Sequence, residues 1–245
     1  MLKTLALLLA LASSGWAVCP SNVIACYFCT SAQDGTDLCG GSSLVATGAM
    51  TYNAIAGPTV FGVQSVAVSG WNNGNHFDLP ASIQAILTST AKNNYSIEAY
   101  GQVANYTNFK SFMFNNANAA FDFLGTNTTA GQMRWGSAGG TADYATAIGQ
   151  NVWVNLAYSY DGTNKTAYLA GVSDGTAVTN STWNNGLVNI GIYSGGALPW
   201  DGYLSRIVIQ QTASSVHPAV IAVSATNTDK RGLSLQSNLR LGLKP

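Results

Sequence analysis

The sequence predicts an all-β protein folded as an antiparallel sandwich or barrel, and three observations carry that prediction. Apolar-rich runs of strand length recur at intervals of 8–15 residues, separated by clusters of Gly and Asn. The run Val152–Tyr160 alternates strictly, with Val152, Val154, Leu156, Tyr158 and Tyr160 on one face and Trp153, Asn155, Ala157 and Ser159 on the other. A single mature stretch, Ser82–Thr88, reads as helix.

The chain opens on Met1-Leu2-Lys3, an apolar run from Leu5 to Ala12, and Ser13-Ser14-Gly15-Trp16-Ala17. A charged start, a short apolar stretch and a small-residue cleavage site make a secretory signal peptide over residues 1–17, cut after Ala17. The apolar run falls short of the roughly 20 residues a spanning helix needs, and no other stretch reads as a transmembrane segment. Cutting as a lipoprotein before Cys19 is disfavoured, because Val18 puts a branched side chain where a small one belongs.

Residues 18–42 hold all four cysteines, Cys19, Cys26, Cys29 and Cys39. In an exported chain they form two disulfides, with three connectivities open. A four-thiolate zinc site is the other use of Cys26-x-x-Cys29, but export and the lack of a second such pair argue against it.

The main domain spans 43–211. Ala54–Pro58 is a loop. Val63 to Ser69 alternates and meets Trp71-Asn72-Asn73-Gly74, a string that recurs at Trp183-Asn184-Asn185-Gly186. Asn-Gly favours positive φ, so both copies are expected to be hairpins with type I′ turns. Strands follow at Tyr95–Val103, Ser111–Phe114, Val152–Tyr160, Thr166–Ala170, Leu187–Ile192 and Tyr203–Gln210. Trp153 lies in mid-strand and is expected in the core. The segment 212–245 reads as an edge strand, Ala219–Val223, and a partly mobile polar tail.

Composition narrows the function. Charged residues are 8% of the chain, roughly a third of the usual share, while hydrophobic residues at 47% suffice for a core. The net charge is zero and the ten Lys and Arg are scattered. Nucleic-acid binding depends on clustered cations and is excluded. The surface is left to Asn, Thr, Ser, Gly and Gln, which suits an extracellular protein.

Several phrases, taken in order, resemble the LamG-like branch of the concanavalin A-like lectin/glucanase superfamily. They are Phe61–Gly70 with Asn75–Pro80, then Tyr95-Ser96-Ile97-Glu98-Ala99-Tyr100, then Trp153–Thr163 with Tyr168–Gly171. The last is Val188–Gly191 with Trp200–Ile209. Together they cover about residues 60–210. The resemblance implies a two-sheet antiparallel jelly-roll sandwich. Tyr100, Asn155, Ala170 and Ser205-Arg206 depart from the family pattern at polar positions, so the fold carries over more firmly than a ligand site.

Some relatives are glycoside hydrolases, which need two carboxylates across the scissile bond. Glu98 is the chain's single glutamate, and in its phrase it reads as a partner for nearby backbone or a buried cation. The two histidines, His76 and His217, lie in no catalytic string, and His76 reads as an exposed loop residue; no Gly-x-Ser-x-Gly elbow exists. Related sandwiches often hold Ca²⁺ at a sheet rim through hard oxygen ligands, with Asn75, Asp78, Asp143 and Asp201 the candidates here. Each of them also suits a turn cap. Trp71 and Trp183 beside Asn-Asn-Gly turns, with Asn73, Asn185 and the loop-flanking Trp135, are candidates for a carbohydrate surface. Sequons occur at Asn94, Asn105, Asn127, Asn164 and Asn180, several of them expected by chance in a chain rich in Asn and Thr; in a host that glycosylates, the hairpin position of Asn164 makes it the expected acceptor.

The expected function is a secreted, non-catalytic recognition module, with a glycan or a cell-surface protein as partner. The alternative is a structural or adhesive subunit of an extracellular, cell-surface or virion assembly, with self-association between copies. A divergent glycosidase carries least weight.

Overall fold

The computed structural model describes residues 19, 22–29, 33–60, 63–88, 95–106, 110–115, 123–127, 131–137, 140–160, 164–174, 178–179, 188–192 and 198–211. Its strands begin with β1 (Val23–Tyr27), β2 (Val45–Thr47), β3 (Thr51–Tyr52), β4 (Thr59–Val60), β5 (Val63–Gln64), β6 (Val68–Ser69) and β7 (His76–Asp78). Helix α1 (Ala81–Thr88) precedes β8 (Tyr95–Val103), β9 (Ser111–Asn115), β10 (Phe123–Thr126), β11 (Met133–Ser137) and β12 (Gly140–Asp143). Then come β13 (Val154–Tyr160), β14 (Asn164–Leu169), β15 (Val172–Ser173), β16 (Val178–Thr179), β17 (Val188–Ile190) and β18 (Gly202–Gln211).

Two antiparallel sheets face each other. One runs β15-β14-β13-β8-β18-β6-β3, with β1 added beside β18 and β16 beside β14. The other runs β12-β11-β10-β9-β17-β7-β2. Strands from β6 to β9 alternate between the sheets, as do β17 and β18, which is the jelly-roll arrangement.

Alternation explains the core. On β8, Tyr95, Ile97, Ala99 and Val103 point between the sheets, and their partners there include Leu156 of β13 and Leu204, Ile207 and Ile209 of β18. The second sheet supplies Phe77, Phe112, Met133, Val188 and Ile190. Burying each such side chain contributes about 1.5–3 kcal/mol. Tyr144, fully buried, donates its hydroxyl proton to the Ala157 carbonyl of β13 at 2.9 Å, linking the segment after β12 to the opposite sheet.

Three of the four outward residues of β8, Ser96, Glu98 and Gln102, are polar yet buried, and the fourth, Tyr100, is half-buried. Part of that face lies under the N-terminal segment, where Cys26, Cys29 and Val208 form a second apolar cluster with Cys19, Val23, Leu38 and Cys39. Disulfides join Cys19 to Cys39 and Cys26 to Cys29, so these thiols are not zinc ligands. Asp37, 3% exposed, holds the segment together by accepting the N–H groups of Cys26, Cys39 and Gly41.

Three local expectations change. Val63–Ser69 is not one strand; Ser65 to Ala67 separate β5 from β6. The first Asn-Asn-Gly string does turn a hairpin, with Asn72 and Asn75 exchanging backbone hydrogen bonds at 2.9 and 3.0 Å. Neither Asn73 nor Gly74 has positive φ, however; the Asn72 side chain accepts the Gly74 N–H at 2.8 Å and stabilises an Asx turn instead. His76 is no loop residue. It opens β7 and its side chain is 11% exposed. The signal peptide, the segment 212–245, His217 and the second Asn-Asn-Gly string lie outside the described residues.

Candidate functional site

Trp153 and Tyr203 make an aromatic shelf at one end of the β15-to-β3 sheet. Val154 pairs with Gly101 and Tyr203 with Gln102, so Trp153 continues the outward row that Gln102 and Tyr203 define. Both rings are half-buried, 6.4 Å apart between centroids and inclined at 56°. The expectation that Trp153 is core is therefore wrong. β13 starts one residue later, at Val154, and the indole stands on the outer face at the strand's mouth.

The loop before β4 fixes that indole. Trp153 Nε1 donates to the Ala56 carbonyl at 3.1 Å. Ala56 also lines a cleft of about 280 Å³ with Asn53, Ile55, Gln64 and Ser65. The cleft's walls are well defined. Asn53 sits at φ 54°, a region Asn tolerates, and its backbone N–H and side-chain Oδ1 both engage Ala67, at 2.7 and 3.0 Å. Asn53 is exposed, and with Oδ1 accepting from Ala67 its Nδ2 is the group left to donate. Ser65 donates from both N–H and Oγ to the Pro58 carbonyl. Gly57 runs so close to the Ser65 carbonyl that a Cβ would overlap it. Gln64 is exposed on β5. The result is a small polar cleft beside two aromatic faces, a combination suited to a ligand with both C–H faces and hydroxyl groups.

The expected tryptophans are placed differently. Trp71 is 6% exposed and lies against Phe77 and the bare backbone of Gly191, so it is a core residue. Asn73 is exposed at the hairpin tip. Trp135 is placed by its backbone alone, in β11 opposite Leu124 and Ala142. Trp183 and Asn185 lie outside the described residues.

Nor do the four calcium candidates come together. Asp143 on β12 is held by Arg134, with Nε–Oδ1 at 2.7 Å and Nη2–Oδ2 at 3.1 Å, and also accepts from Asn127 Nδ2. Asp78 on β7 is five strands away in the same sheet, about 24 Å. Its Oδ1 accepts from Asn189 Nδ2 at 2.6 Å and lies 3.7 Å from His76 Nε2. Asn75 Oδ1 accepts the Ala49 N–H. The Asp201 backbone carbonyl accepts from Ala104, in the loop that leads into β18. Among the described residues no three His, Cys, Asp or Glu side chains gather.

Glu98 is in the structural role its phrase suggested. It is 1% exposed, accepts from Asn155 Nδ2 at 2.7 Å, and faces the charge of the buried Arg206. Burial nevertheless outweighs those two partners and holds its pKa above the ordinary value.

Sequence reasoning missed Trp153, Tyr203, Asn53 and Gln64. For Tyr203 a signal existed: alternation against the apolar Leu204 would have turned it outward. For Asn53 and Gln64 there was none, because their cleft is made where the 53–58 loop meets β5.

Comparison with known proteins fits this architecture. The family model for the concanavalin A-like lectin/glucanases superfamily matches residues 72–217, more than half of the chain. No curated protein matches. Domain 4 of AbnA, a GH43 extracellular arabinanase from Geobacillus stearothermophilus, solved with arabinotriose, superposes at a TM-score of 0.62 and 18% identity. The match covers 84% of this chain and 98% of that one. The receptor binding domain of botulinum neurotoxin C/D mosaic serotype gives 0.56 at 12% identity, over 90% of this chain and 52% of that one. Trypanosoma rangeli sialidase with the inhibitor DANA gives 0.57 at 11%, over 86% of this chain and 35% of the enzyme. This chain thus spans about half of the neurotoxin domain and a third of the sialidase. At these identities the likeness is one of fold.

Proposed function

The chain belongs to the concanavalin A-like lectin/glucanases superfamily, and from that premise we propose that it is an extracellular, non-catalytic module that recognises glycans. The observation that carries the reading is the half-buried Trp153–Tyr203 pair beside a cleft bearing the amides of Asn53 and Gln64. Aromatic faces take the C–H side of a sugar ring, and amides exchange hydrogen bonds with its hydroxyls. Two disulfides support an oxidising, extracellular setting. The neighbour solved with arabinotriose is itself a domain of an extracellular enzyme, a further analogy.

Non-catalytic action is supported by how the carboxylates are engaged. Glu98 is buried on Asn155, Asp37 caps the cysteine segment, Asp143 pairs with Arg134, and Asp174 accepts from Thr146 at 2.9 Å. Each has a structural partner, whereas a glycosidase presents two carboxyl groups to one open groove.

The test is a glycan array probed with the purified chain from Val18, followed by titration of the best binder. Saturable binding weakened about tenfold or more, about 1.4 kcal/mol, by Trp153→Ala or Tyr203→Ala is expected. Silence on the array, or affinity unchanged by both substitutions, sinks the reading.

A second reading, an assembly or adhesion subunit, is favoured by Val45 and Val172. They are 55% and 69% exposed on β2 and β15, the outer strands of the two sheets among the described residues. Sedimentation that shifts to larger species with concentration would support it.

A further inference from the structure

Building on the glycan-recognition reading, we infer that the cleft beside Trp153 takes the uncharged end of a saccharide, one or two sugar units, and rejects ends that carry sialic acid or a uronate. The argument is one of charge and size. Binding an acidic sugar requires a cation, best a guanidinium that grips the carboxylate with two donors. The described residues lining the cleft are Asn53, Ile55, Ala56, Gln64 and Ser65, all uncharged.

No described cation reaches it. Arg206 is 1% exposed and faces Glu98. Arg134 is held by Asp143 in the opposite sheet. Lys110 adjoins β9 of that same sheet, and Lys165 lies on β14, four strands from β6.

Two described carboxylates neighbour residues of the shelf and cleft, one in sequence and one through Tyr52. Asp201 precedes Tyr203 by two residues and is half-buried. Asp34 is close enough for its charge to act on Tyr52, the neighbour of Asn53. An anionic ligand there would find amide donors but, among the described residues, no cation to pair with.

The donors that are present suit neutral hydroxyls. Asn53 is exposed and keeps Nδ2 as a donor while its Oδ1 accepts from Ala67, and Gln64 offers a donor and an acceptor on one exposed amide. At about 280 Å³ the cleft lies just under the range of sites that enclose drug-sized ligands, so it holds a chain end and not a long polymer segment.

The experiment uses the purified chain from Val18 against two series. One holds neutral oligosaccharides of arabinose, xylose, glucose, mannose and galactose, from one to five units. The other holds the same chains capped with sialic acid or glucuronic acid. The expected result is binding to a neutral series, affinity level beyond two units, and less than a twofold change between 50 and 500 mM NaCl. Capping should weaken binding at least tenfold, and Gln64→Arg should recover affinity for the capped chains.

Preference for acidic caps, or affinity that keeps climbing through four and five units, overturns this inference while leaving glycan recognition standing. Silence across both series overturns the recognition reading itself.

Discussion

Asn155 on β13 donates through Nδ2 to Glu98 Oε1 on β8 at 2.7 Å, and both side chains are at least 95% buried. A hydrogen bond to a buried carboxylate contributes about 1.5–3 kcal/mol, because the acceptor has no water to replace the donor. Asn155→Ala should therefore lower the unfolding free energy by about 2 kcal/mol, read as a shift in the urea midpoint at constant slope. Asn155→Asp should be worse, since it sets a second carboxylate against the first.

Glu98 also gives the protein a pH dependence of definite sign. Burial raises its pKa in the folded state, against the opposing effects of Asn155 and Arg206. A carboxyl whose folded pKa exceeds its unfolded value stabilises below the unfolded value and loses that contribution as pH rises through the folded one. Glu98→Gln imitates the neutral form and keeps an acceptor for Asn155. It should leave stability at pH 7 within about 1 kcal/mol of the parent, and the parent should gain on the variant as pH falls toward 4.5. Arg206→Met removes the charge that lowers the pKa of Glu98, costs roughly 3 kcal/mol at pH 7 and recovers part of it on acidification. Urea melts of all three proteins between pH 4.5 and 8 would show this, and a variant difference independent of pH would contradict it.

Gly191 and Trp71 offer a cleaner steric test. Gly191 adopts φ 84°, and a Cβ there would fall on the Trp71 ring. Gly191→Ala adds left-handed backbone strain to a clash inside the core, together about 3 kcal/mol, and should change the tryptophan emission. Gly40 has a similar φ of 79° with open space around it, so Gly40→Ala should cost only the backbone part, about 1 kcal/mol. Equal losses at the two sites would show that the ring yields freely.

Much of this architecture was readable where the signal is local. β8 runs over the predicted Tyr95–Val103 without a shift, β18 lies within one residue of its expected bounds at either end, and α1 begins one residue before the expected helix. Periodicity and the family phrases both act within a strand, so they survive folding. Trp71 was misread because its burial is decided by Gly191, 120 residues later, whose missing side chain makes room for the ring. Trp153, expected in the core for its mid-strand position, shares its alternation face with Asn155 and Ala157 and stands at the strand's start, where the outer face is open. The cleft was not readable at all. It arises where the 53–58 loop meets β5, and nothing in either segment announces the other.

The covalent ties lend themselves to the last prediction. Cys19 and Cys39 lie 20 residues apart, and closing a loop of that length in the unfolded chain corresponds to about 3 kcal/mol in the chain-entropy account. Cys26 and Cys29 are three apart, which by the same account gives about 2 kcal/mol. The ranking by loop length competes with burial, because Cys26 and Cys29 are 0% and 2% exposed and pack on Val208, while Cys19 is only half-buried. The paired substitution Cys19→Ser with Cys39→Ser removes the long loop at little packing loss, so about 3 kcal/mol is expected. Cys26→Ser with Cys29→Ser places two hydroxyls in an apolar cluster and should cost more, despite the shorter loop. Urea unfolding of the two double variants decides between the accounts. If the Cys19–Cys39 variant is the less stable, chain entropy dominates; if the Cys26–Cys29 variant is, the disulfide segment acts chiefly as packed cover for the outer face of β18.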